Sequence, residues 1–136
     1  MSRLPLFYLI AATFCLLAGV CLGIGMGIAH DFQLAPVHAH LNLLGWTSLA
    51  LMGLVFRAWP ELCASVMPSV IQFCLMVGAA LLFPAGIWLS ITQGEPGLAI
   101  GASLAWLAGV GLFLARLLRL AFRPAPRRLP AFLPAE

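Results

Sequence analysis

The sequence predicts an all-α integral membrane protein: four transmembrane helices in an up-down antiparallel bundle, both termini cytoplasmic. Three observations predict it. The 136-residue chain is 63% hydrophobic and only 8% charged, where a soluble domain carries about 25% charged residues. Its apolar residues gather into four runs, each near the ~20 residues that cross a bilayer. All seven of its basic residues are arginines, and all fall on one side of a four-span topology, whereas Asp31 and Glu95 fall on the other. That asymmetry puts the arginine side in the cytoplasm.

The first helix is expected over about residues 5–29. Its apolar run exceeds the 7–15 residues of a signal h-region and no small-x-small cleavage site follows, so it reads as a retained helix. Ala11, Cys15, Gly19, Gly23 and Gly27 recur every four residues. A small-xxx-small stripe lets helices approach closely; it would equally accept a planar cofactor. "HDFQLAP" links to a second helix over about 38–58, and "WPELCAS" to a third over about 67–91. In the third, Pro84 predicts a kink, and Gln72 is expected to hydrogen-bond across the bundle. "TQGEP" leads to a fourth helix over about 97–118, where Gly97, Gly101, Ala105 and Gly109 repeat the small-residue stripe. Such short links force neighbours to run antiparallel. The transmembrane domain is thus 1–122. Residues 123–136, "RPAPRRLPAFLPAE", form a Pro/Arg-rich cytoplasmic tail that cannot continue a helix and places arginines near anionic headgroups.

Several function classes fall away. Cys15, Cys21, Cys63 and Cys74 form no C-x-x-C pair or C-x-x-C-H motif, which removes zinc ribbons, thioredoxin-like chemistry and covalent haem attachment. The arginines follow membrane topology and do not imply nucleic acid. Hydrolytic and phosphate-loop motifs are missing from the sequence. No charged pair lies mid-span, as a channel or transporter would favour.

Chemistry concentrates in the stretch from His30 to His40, which holds all three histidines, with Asn42 just beyond. Imidazole suits haem iron, copper and zinc, and polar groups at membrane depth mark function; the bland alternative is contact with interfacial water and headgroups. On an α-helix, residues two apart point roughly 200° away from each other. His38 and His40 therefore cannot both ligate one ion from a regular helix. His38 shares a face with Asn42, Gly45, Leu49 and Met52, which should turn inward. His40 shares one with Leu43, Leu44, Thr47 and Leu51, which looks lipid-compatible, but it lies about 3 Å deeper. Phase favours His38 as a ligand and depth favours His40. Met26 and His30, four apart, share a face at the outer end of helix 1. They are a candidate thioether–imidazole pair for copper or haem, or a packing residue and a helix cap.

The stretch "VHAHLNLLGWTSLALMGLVFRAWPE", residues 37–61, resembles the second transmembrane helix of subunit I in the haem–copper oxidase superfamily, which includes cytochrome c oxidase and the nitric oxide reductase large subunit. The resemblance covers about 25 of the 136 residues. In that family this helix carries an axial histidine of a low-spin haem b near the outer face. The resemblance implies a haem b ligand at His38 or His40, and a multi-pass protein of a bacterial inner membrane, tied to respiratory electron transfer. Nothing matches the family's later copper or iron histidine cluster or its cross-linked tyrosine, so no binuclear centre, and no autonomous oxidase, is implied. The expected function is that of a small haem-b membrane protein for electron transfer or sensing. Its second ligand would come from His30, a second copy or a partner subunit. Two alternatives stand beside it: a copper-handling protein using Met26, His30, His38 and His40, or a cofactor-free assembly subunit of a respiratory complex. Expected partners are the bilayer and a homo-oligomer or larger respiratory complex.

Overall fold

In the computed structural model, residues 3–123 are described. Four helices are long and apolar enough to cross a membrane: α1 (Leu4–Ala29), α2 (Ala35–Ala58), α3 (Val66–Gln93) and α4 (Gly97–Ala121). No strand occurs among the described residues. Of the tail read from the sequence over 123–136, only Arg123 belongs to the described residues; Arg127 and Arg128 lie outside them.

Local chemistry sets the boundaries. Pro5 sits in the first turn of α1, where a missing N–H breaks no helical bond. At the other end His30 adopts a left-handed conformation, φ 51°. Its N–H bonds the Gly27 carbonyl, and the Asp31 N–H bonds the Met26 carbonyl at 3.2 Å. These bonds satisfy carbonyls that a helix end otherwise leaves bare. The α2 helix starts at Ala35, three residues earlier than the sequence reading. Pro36 occupies its first turn, so the proline placed in the linker instead opens the helix. The turn Pro60–Cys63 is 3₁₀, and α3 stops at Gly94 with φ 74°, a conformation glycine adopts without strain. Residue by residue, α3 runs unbroken through the buried Pro84.

Two antiparallel hairpins make the bundle. Along the α1–α2 seam, Gly53 lies on Tyr8 and the Pro5 carbonyl, Gly45 on Cys15, Asn42 on Gly19 and His38 on Gly23. Partners climb one helix as they descend the other. Along the α3–α4 seam, Gly86 lies on the Ala99 backbone and Met76 on Gly109. Gln72 Nε2 donates to the Gly109 carbonyl at 2.7 Å, the cross-bundle bond expected of it. Of the glycines in the small-residue stripe expected on α4, only Gly109 is in close contact. A Cβ at Gly97 or Gly101 would meet nothing within 4 Å. The close approach near the hairpin turn is made instead by Gly86 of α3.

The core sits toward the arginine-bearing end, built by Tyr8, Leu49, Met52, Phe56, Leu62 and Met76. Tyr8 packs on Phe56, ring centroids 5.2 Å apart, and edge-on to Phe73 at 5.1 Å. Phe56 meets Phe113 at 5.7 Å. Arg116 of α4 lies over the Phe56 ring, 5.4 Å from its centroid. Its guanidinium donates to the Leu62 carbonyl, to Ser69 Oγ at 2.9 Å and to the Pro68 carbonyl at 3.4 Å. One arginine of the topology signal thus ties α4 to the α2–α3 connection.

Candidate functional site

Opposite that core, α2 brings three polar side chains into the bundle in two directions. His38 Nδ1 lies 2.8 Å from the Gly19 carbonyl of α1. A carbonyl can only accept, so Nδ1 carries the proton and Nε2 keeps its lone pair. Asn42 donates from Nδ2 to the His38 carbonyl at 2.8 Å, and the same nitrogen is 3.5 Å from His38 Nε2. Both side chains are half-buried. Glycines on α1 make the room: a Cβ at Gly23 would stand 2.8 Å from His38 Cε1, and one at Gly19 would stand 2.7 Å from Asn42 Nδ2. At these two positions the small-residue stripe of α1 accommodates α2 side chains.

His40 turns away, as the 200° phase argument requires. Its ring stands edge-on to Phe83 of α3, centroids 4.8 Å apart, while part of it stays exposed. Nδ1 donates to the Pro36 carbonyl one turn back, at 2.7 Å, which again leaves Nε2 as the acceptor nitrogen. Both histidines therefore use Nδ1 as the donor to a backbone carbonyl.

Directly after His40 the helix widens. Leu41–Ser48 is π-helical, a rare form that gathers at functional sites. Thr47 Oγ1 donates to the Asn42 carbonyl at 3.0 Å and Ser48 Oγ to the Leu43 carbonyl at 2.8 Å. Both bonds reach five residues back, the spacing of a π-turn, and so favour the widened form. The buried Gly45 lies within this stretch against Cys15. No periodicity in the sequence announces the widening; the adjacent hydroxyls of Thr47 and Ser48 are its one readable sign.

Met26 and His30 are arranged otherwise. Met26 is buried, 8% exposed, whereas His30 is exposed and caps α1 through its backbone. Among the described residues, no three His, Cys, Asp or Glu side chains converge to hold a metal ion. Comparison of the chain with protein-family models, curated proteins and solved structures finds no match.

Proposed function

We propose that this chain is a small haem-b membrane protein, similar to the second-helix region of haem–copper oxidase subunit I, in which His38 supplies one axial ligand through Nε2. One observation carries the reading. The bond from Nδ1 to the Gly19 carbonyl fixes the tautomer and ring orientation, as backbone carbonyls do for metal-ligating histidines. Asn42, whose amide nitrogen is 3.5 Å from Nε2, would turn off that nitrogen for it to ligate and keep its bond to the His38 carbonyl. The donor set fits one axial position. His38 and His40 face different helices and His30 is exposed at a helix end, so the second ligand comes from a second copy or a partner subunit. Haem b, when bound, supplies one-electron transfer. The chain's own residues orient the imidazole and surround it with apolar walls. The arginine-bearing end is cytoplasmic in this reading, and the histidines lie in the outer half of an inner membrane.

A second reading is favoured by the same seam. His38 and Asn42 are hydrogen-bonded within the chain and fill the space over Gly23 and Gly19, which suits a cofactor-free assembly subunit. Copper handling draws less support, because Met26, His30, His38 and His40 divide between a buried site, a helix cap and two opposed faces. The visible spectrum of the full-length protein, purified after expression with ample haem, decides. The haem reading expects a Soret band that His38→Ala abolishes and His40→Ala preserves. No band in the parent protein, or a band that survives His38→Ala, overturns it.

A further inference from the structure

At the arginine-bearing end, a cavity of about 670 Å³ opens between the α2–α3 connection and the end of α4. Arg116, Arg119 and Arg123 line it together with Ser65, Glu61 and Phe122. Arg116 and Arg119, three apart, share one face of α4, and Arg123, just past the helix end at Ala121, lines the same cavity. Three cations stand there against one carboxylate, and no ion pair joins any of them among the described residues. Arg116 is engaged by neutral acceptors only. Arg119 and Arg123 are exposed, and neither guanidinium makes a hydrogen bond among the described residues; the Arg123 backbone N–H bonds the Leu120 carbonyl at 3.3 Å. Like charges one turn apart repel, so an anion on this face would be stabilising.

We propose that this cavity binds the phosphate headgroup of an anionic phospholipid. Guanidinium groups match phosphate oxygens in bidentate geometry, and basic pockets between transmembrane helices hold such headgroups. The level of the cavity selects a lipid over a soluble phosphate ester. It sits where α4 leaves the apolar span at Ala121, and Phe122, 82% exposed, gives the glycerol backbone and acyl chains an apolar wall. The site lies at the far end of the bundle from His38 and needs no cofactor.

Native mass spectrometry of the full-length protein in neutral detergent tests this. The protein is titrated separately with dioleoyl phosphatidylglycerol and dioleoyl phosphatidylcholine, and the glycerol lipid is then challenged with inorganic phosphate. Arg119 and Arg123, the two arginines whose guanidinium groups are not already hydrogen-bonded, are each worth about fivefold near the lipid phosphate, so together they retain the first phosphatidylglycerol roughly thirtyfold better than phosphatidylcholine. Arg119→Gln/Arg123→Gln brings the two lipids close to parity. The charge-matched Arg3→Gln/Arg57→Gln, at the same end but outside the cavity, keeps the preference. Equal retention of the two lipids by the parent protein overturns the proposal. So does equal loss in both double variants, which marks a general surface attraction. Displacement by equimolar inorganic phosphate also overturns it and assigns the cavity to a soluble phosphate compound.

Discussion

The two ends of the α1–α2 hairpin solve the same packing problem with opposite materials. At the arginine end, Tyr8 and Phe56 interlock with Phe73 and Phe113 under the Arg116 guanidinium. At the histidine end, glycines on α1 receive an imidazole and an amide from α2. Lipid is as apolar as leucine, so helices in a bilayer associate through packing and hydrogen bonds with no hydrophobic drive between them. Large rings supply the first. Polar groups hydrogen-bonded over glycine supply the second. The difference separates an end held by rings from an end held by polar side chains.

The largest effect tests whether the two ends lie on opposite sides of the membrane, and it is all-or-none. A membrane-impermeant maleimide added to intact cells should label Glu95→Cys and spare Ser65→Cys until the membrane is permeabilised. The native Cys63 on the arginine side adds little background after permeabilisation, because burial pushes its thiol up and outweighs the opposing pull of Arg116. Labelling of Ser65→Cys from outside would invert the topology. Next comes the aromatic end itself. Phe56, 1% exposed, touches two rings and a guanidinium, so Phe56→Ala should cost about 3 kcal/mol, seen as a lowered midpoint in thermal unfolding in detergent. Gly23→Ala should cost about 2 kcal/mol by overpacking, since its Cβ would stand 2.8 Å from the His38 ring. The same substitution at Gly27, where a Cβ meets nothing within 4 Å, should be silent. Equal melting of the two glycine variants would dissolve the distinction between the seam and the rest of the stripe.

Much of this contrast was legible in the sequence, and the rest was not for identifiable reasons. Hydropathy located all four spans, because backbone hydrogen bonds in lipid leave few alternatives to long apolar helices. The opposed faces of His38 and His40 followed from the 100° advance per residue. Which surface met each face did not follow, because Phe83 lies on a helix whose rotation no local pattern encodes. The α4 stripe is subject to the same limit: glycine spacing shows where close approach is permitted, and of Gly97, Gly101 and Gly109 the partner helix meets only Gly109. Arg116 was read as a topology marker. Its inward reach to Leu62, Pro68 and Ser69 depends on a loop some fifty residues away in sequence. The π-turn was invisible to any pattern built on a regular period.

The smallest effect lies on the α3–α4 seam, at Gln72, which is fully buried. Its Nε2 bonds the Gly109 carbonyl, but its Oε1 has no hydrogen-bond partner among the described residues. Gln72→Leu removes both groups at once. Losing the interhelical bond costs about 0.6 kcal/mol, the typical worth of such bonds in a membrane. Removing a buried acceptor that nothing satisfies returns about 1 kcal/mol or more. The Gly109 carbonyl keeps its backbone environment within α4, so little is newly orphaned. The two contributions nearly cancel, and the unfolding midpoint of Gln72→Leu should stay close to that of the parent protein. A loss as large as that of Gly23→Ala would mean that Oε1 is satisfied by buried water, and that polar bonding is as important on this seam as at the histidine end.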